Sequence, residues 1–187
     1  MYGNFESSIK FVLTGLKYSL QMTDQNNLQS FDYPKNASKI LKCMAPEILE
    51  QNIIGYDYKV DIYSIGILCC ELANGIIPFD NMEADQILFY KIIGDSPGPL
   101  DGACEEMRIM KEYADRMEQS LQRRYMIYSK RKFTEHFHEF VSNCCLPIEQ
   151  SRRWSAQELL DHRFIKSNLL FSSQEKMCLL KKCLVKK

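Results

Sequence analysis

The sequence has no uninterrupted hydrophobic run, no net charge and no metal-type spacing of cysteines, and each absence removes a class of function. Its longest apolar run, Ile62 to Phe79, is broken by Ser64, Glu71 and Asn74 and preceded by Asp61. A bilayer span needs about 18 or more apolar residues with few charges, so no transmembrane segment is expected and the run reads as a core helix. The 24 Lys and Arg are balanced by 24 Asp and Glu, which removes a global attraction to nucleic acid or anionic membrane. The eight cysteines include the adjacent pairs Cys69-Cys70 and Cys144-Cys145 but no CxxC and no Cys/His finger pattern, so zinc is not expected. Met1-Tyr2-Gly3-Asn4 lacks the basic and apolar regions of a secretory leader. The thiols therefore read as reduced core residues of a cytoplasmic chain, with the nucleus as second compartment, and the sequon at Asn36 as an accident of composition.

What is present is helical. At 187 residues the chain is one domain, or a domain with a tail. Ile9 to Leu13 is a short strand candidate, with Tyr2 to Phe5 as a possible hairpin partner. Residues 18 to 44 are polar and aperiodic and read as a long loop. Pro46 opens a helical turn. Asp61 is placed to cap a helix that ends at Asn74-Gly75, and a second helix fits Glu83 to Ile93 with Gly94 as its stop. Residues 95 to 102 hold two Pro and two Gly and form a loop. Met107, Met110, Ala114, Met117 and Leu121 then repeat at alternating spacings of three and four, which predicts a helix across 103 to 126, with Glu112 and Arg116 as an i,i+4 pair. Further helices fit 133 to 144, 155 to 161 and 174 to 184, and Ser155 with Glu158 has the spacing of a capping box. His136 and His138 stand two apart, do not share a helical face, and read as packing or surface residues.

Three blocks carry the functional signal. Met44-Ala45-Pro46-Glu47 comes first, and fourteen residues after Glu47 stands Asp61-Ile62-Tyr63-Ser64-Ile65-Gly66. Near the end stands Arg153-Trp154-Ser155-Ala156, followed by Leu159-Leu160-Asp161-His162. Any one alone is noise. In this order and separation they resemble the C-terminal lobe of the protein kinases over residues 9 to 166, with an interruption at about 95 to 132 and a basic tail over 167 to 187. The resemblance implies a mainly α fold, with at most a short N-terminal β-hairpin. It also implies a buried ion pair between Glu47 and Arg153, and an anchoring role for Asp61 at the start of the central helix.

Kinase catalysis needs an Asp-Phe-Gly whose Asp holds Mg²⁺. Here Gly15-Leu16-Lys17 fills that slot after the strand, and Gly15 has no side chain to ligate a metal. Only fourteen residues precede Gly15, so the sequence contains no catalytic-loop Asp, no Gly-rich phosphate loop and no ATP-binding Lys strand. Those parts supply the positioning and electrostatics of phosphoryl transfer. The expectation is a non-enzyme with no cofactor.

Leu13-Thr14-Gly15-Leu16-Lys17, Asp32-Tyr33-Pro34-Lys35, Glu50-Gln51-Asn52 and Gly55-Tyr56-Asp57 resemble the Sterile-20-related kinase adaptors. That resemblance implies a pseudokinase that binds and activates a client kinase of the liver-kinase-B type, using the face of a substrate-bound kinase. Phe31, Tyr33 and Gln51 are then the partner-binding candidates. It also implies an armadillo-type scaffold, calcium-binding protein 39, docked by a Trp-Glu-Phe tail. This sequence ends Cys183-Leu184-Val185-Lys186-Lys187 and has Trp154 as its one Trp, so that docking is unsupported. Two alternatives stand beside the adaptor: a piece of an active Sterile-20-like kinase, and a truncated product without a function of its own.

Overall fold

The apolar run becomes the axis of the molecule. The computed structural model describes residues 12, 14, 16, 19–21, 40–50, 55–94, 96–145 and 149–169. Among them the elements are α1 (Pro46–Leu49), α2 (Lys59–Asn74), α3 (Ala84–Ile92), α4 (Glu105–Glu112), α5 (Gln119–Tyr128), α6 (Glu135–Cys145), α7 (Ala156–Asp161) and α8 (Arg163–Leu169), with 3₁₀ turns at Ala114–Arg116 and Gln150–Arg152. No strand occurs among the described residues, and the hairpin candidate and the 174–184 helix lie outside them.

α2 is apolar on nearly every side, the composition of a helix that neighbours enclose. One side, Tyr63 and Ile67, packs on Met44, Ala45, Ile48 and Tyr56. A second side meets α6: Ile62 packs with Phe140, Cys144 and Leu159, and Cys70 with Val141. The third side carries Ile65, Leu68 and Leu72, which are 42%, 51% and 76% exposed. The pattern predicts the helix, but its start differs from the reading above. Asp61 lies inside the first turn and is not the cap; Tyr58 holds the cap position. Asp57 does the capping work, its Oδ1 accepting from the Lys59 N–H at 2.7 Å. At the other end Gly75 adopts φ 77°, the left-handed geometry that closes a helix without a Cβ penalty. Burial lifts the Cys69 thiol to about 11 and the Cys144 thiol to about 12, so both behave as small apolar core groups.

The 103–126 stripe does not form one helix. α4 stops at Glu112 because Tyr113 takes φ −108° and ψ 6°, and Met117 is extended at ψ 147°. Of the stripe only Met107 is buried. The chain folds back instead, so that α5 returns beside α4. Glu112 and Arg116 therefore no longer share a continuous helix, and the pair expected between them is absent among the described residues.

Two polar clamps fix this return, the first of them directly to α2. Asn74 donates Nδ2 to the Gly98 carbonyl at 3.1 Å and accepts from the Leu100 N–H at 2.7 Å. From the far side the Tyr128 hydroxyl reaches the Asn74 carbonyl at 3.2 Å, and Arg131 reaches that of Ala73 at 2.8 Å. Asp101, fully buried, accepts from the N–H groups of Phe133 (2.8 Å) and Ala103 (3.0 Å) and from His138 Nε2 (2.9 Å). Burial alone would raise the Asp101 carboxyl, but those three donors together with the His138 charge outweigh it and leave it below its ordinary value. Gly102 is required next to it, since a Cβ there would stand 2.6 Å from the Ser129 carbonyl oxygen.

Candidate functional site

The Ala-Pro-Glu turn is buried and tied to distant parts of the chain. Pro46 sits in the first turn of α1, where its missing N–H costs nothing. This leaves Glu47 pointing inward, 6% exposed, toward Arg153, 1% exposed. The two meet as a bidentate pair: Arg153 Nη1 donates to Glu47 Oε1, and Nη2 to Oε2 at 2.7 Å. The expected ion pair is therefore present, and 106 residues of sequence separate its partners. Parallel charge-assisted bonds of this kind are strong and fix orientation as well as distance. Arg153 also reaches the Lys59 carbonyl at 3.4 Å, tying α1 to the start of α2.

A second cation holds the same turn from the opposite element. Lys91 on α3 is 2% exposed, and its ammonium donates to the carbonyls of Leu41 (2.8 Å), Lys42 (2.9 Å) and Met44. Ser64 on α2 donates to the Cys43 carbonyl at 2.9 Å, and the Ile40 and Ala45 carbonyls accept within the turn. Every carbonyl from Ile40 to Ala45 is thus satisfied, which is what lets this irregular segment be buried. The Tyr63 ring unites the two cations, with Lys91 Nζ 4.9 Å and the Arg153 guanidinium carbon 5.1 Å from its centroid. Lys42 adds an outer tie, 2.9 Å from Asp80 Oδ1.

Lys91 was missed in the sequence. Its signal is positional: it lies four residues after Ile87, and these two are the buried residues of α3. A lysine on the apolar face of a helix must bring its charge to acceptors, and the end of a polar loop offers them.

Asp61 is exposed at its surface, yet neighbouring atoms strip enough water from its carboxyl to raise its pKa. Among the described residues the carboxylate has no hydrogen-bond or ion-pair partner. Leu16 is exposed and accepts from the Ser19 N–H at 3.0 Å. Gly15, Lys17, Phe31, Tyr33 and Gln51 lie outside the described residues. Among the described residues no group of three or more His, Cys, Asp or Glu side chains is placed to hold a metal ion, and no helix is long and apolar enough to cross a membrane. What the site offers is a preorganised turn, with residues 40–47 fixed to the core at both charges.

Comparison with known proteins assigns this architecture. The protein kinase domain family matches residues 21–165. The chain is 38% identical over 174 residues to human STE20-related kinase adapter protein alpha, covering 84% of this chain and 40% of that protein. It is 31% identical over 164 residues to the Caenorhabditis elegans STE20-related kinase adapter protein strd-1, covering 88% and 40%. It is 31% identical over 173 residues to the human beta adapter, covering 82% and 41%. The chain thus spans about two fifths of the length of the curated relatives it matches. With the Ala-Pro-Glu turn pinned to Arg153 and the central helix beside it, the chain belongs to the protein kinase domain family, in which it corresponds to the C-terminal lobe.

Proposed function

We propose that this chain is a pseudokinase adaptor lobe, which binds a client serine/threonine kinase of the liver-kinase-B type and favours the client's active conformation. The observation that carries the reading is the turn whose carbonyls from Ile40 to Ala45 are all hydrogen-bonded and whose Glu47 is paired with Arg153, in a chain similar to proteins named kinase adapters. The end of this segment, residues 40–45, has its carbonyls hydrogen-bonded to the rest of the fold, so that part enters an interface without a large ordering cost. Phe31 and Tyr33 are aromatic anchors of the type enriched at interface hot spots, and Gln51 follows the α1 turn. Gly15 in the metal-ligand slot supports a role without chemistry. Shifting a client from 1:99 to 99:1 in favour of its active form takes about 5.5 kcal/mol of differential binding, with no phosphoryl transfer by the adaptor.

The test uses purified client kinase with this chain, wild type and Phe31→Ala plus Tyr33→Ala. Wild type is expected to bind and to raise client activity, with the double variant losing both while its melt is unchanged. The chain alone, given Mg²⁺ and ATP, is expected to label no peptide substrate. Reproducible ATP-dependent labelling would overturn the pseudokinase reading. Absence of binding would overturn the adaptor reading in favour of a product without independent function.

A further inference from the structure

The chain is neutral as a whole, but its charge is unevenly placed. From Gln119 to Thr134 there are five cations, Arg123, Arg124, Lys130, Arg131 and Lys132, and no acid. Arg131 is committed to the Ala73 carbonyl and the Tyr128 ring. The other four are exposed and have no acidic partner among the described residues, although the acids of α4 stand on the neighbouring helix.

α5 is held by its inner side, where Tyr128 is buried and bonded to Asn74. Its outer side carries Arg123, Met126, Ile127 and Lys130 at spacings of three and four, a single face. The turn continues past the helix end, since the Arg131 N–H bonds the Tyr128 carbonyl at 3.0 Å, so Lys130 stays in register. Met126 and Ile127 are 52% and 54% exposed at the centre of this cationic face.

We propose that the outer face of α5 docks on an anionic lipid bilayer. The charge selects a polyanion, and the two aliphatic side chains select a membrane from among polyanions. A basic helix with apolar residues on its exposed side lies in the headgroup layer, with the aliphatic groups entering the acyl boundary and the cations meeting lipid phosphates. A nucleic-acid face would instead interleave its cations with exposed aromatic rings for base stacking, and an acidic peptide gains nothing from Met126 and Ile127 unless it brings its own apolar partner. The face is separate from the Ala-Pro-Glu turn: α5 is clamped at Asn74, eleven residues along α2 from Tyr63, or about 16 Å of helix.

The test is co-sedimentation of the full chain with sucrose-loaded vesicles of phosphatidylcholine, with and without one third phosphatidylserine. Wild type is expected to bind the phosphatidylserine vesicles at low salt and to leave the neutral ones free. Each cation near an anionic surface contributes about fivefold in partitioning, so Arg123→Gln plus Lys130→Gln should weaken binding about 25-fold. Met126→Ser plus Ile127→Ser should weaken it several-fold with unchanged salt dependence. All four positions are exposed, and matching circular dichroism and melts confirm that the variants fold. Four results each overturn the proposal: no binding to phosphatidylserine vesicles; equal binding to neutral vesicles, which marks general apolar stickiness; undiminished binding by the Gln variant, which places the contact elsewhere, such as the basic tail; and undiminished binding by the Ser variant, which marks simple polyanion adsorption.

Discussion

Replacing Glu47 with Ala would strand the Arg153 guanidinium in a site where it is 1% exposed. Breaking one partner of a buried pair costs about 3–5 kcal/mol, because the surviving charge keeps its desolvation penalty and loses its compensation. For a chain of this length that corresponds to a melting point lowered by about 6–20 °C. Glu50, three residues on, is half-buried, and burial followed by the Glu47 charge pushes its carboxyl up. Glu50→Ala therefore relieves repulsion and should leave the melt nearly unchanged. Lys91→Met keeps the apolar stem but leaves the Leu41, Lys42 and Met44 carbonyls without their donor, at a cost of about 1–3 kcal/mol. Calorimetry of the three variants checks the order Glu47→Ala, Lys91→Met, Glu50→Ala; equal shifts for the two glutamates would remove the case for the pair. Glu47 and Arg153 were legible because a residue motif marks both ends of the bond. Lys91 was not, because its three acceptors are backbone carbonyls of residues whose side chains say nothing about it.

Elements were legible where a local signal fixes them and obscure where tertiary contacts do. The capping box at Ser155 forms as its spacing predicts, Glu158 Oε2 accepting from the Ser155 N–H at 2.6 Å. The stripe from Met107 to Leu121 had the right period, yet the chain turns back at Tyr113, with Asn74, Tyr128 and Arg131 holding the segment to the end of α2 and Asp101 tying its two ends together through Phe133 and His138. Nothing in a periodicity reports such a clamp, and His138 was likewise read as packing or surface although it bonds Asp101. The clamp has a pH signature. The Asp101 carboxyl is depressed in the fold, so its contribution is fully present above the ordinary unfolded value, about 3.9, and is lost as pH falls through the folded one. Asp101→Asn should therefore be less stable than wild type at pH 7, with the gap narrowing below about pH 4 as the wild-type carboxylate protonates. Urea melts of both proteins across that range check it, and a gap independent of pH would show that the carboxylate charge contributes nothing.

At the scale of the whole molecule, the third side of α2 decides how the chain behaves in solution. The run Ile62 to Leu72 is apolar enough for a fully enclosed helix, but the described residues enclose two sides of it. Ile62 is 3% exposed, buried on α6 and α7, and Cys69 is half-buried, so the uncovered face consists of Ile65, Leu68 and Leu72. Fully covering a large aliphatic side chain is worth about 1.5–3 kcal/mol, and three of them rival the roughly 5–15 kcal/mol by which domains are stable. A face of that strength favours self-association, or an apolar dye when one is offered. We expect the chain to bind such a dye and to associate as its concentration rises. Leu68→Ser plus Leu72→Ser should reduce both without lowering the melt, since neither side chain supports the core. The effect should be larger for Leu72, which is more exposed than Leu68. Dye titration together with sedimentation velocity reads this directly. A wild-type chain that stays monomeric and dye-silent, or a double variant that binds dye as strongly as wild type, would mean that this side of α2 is covered in solution.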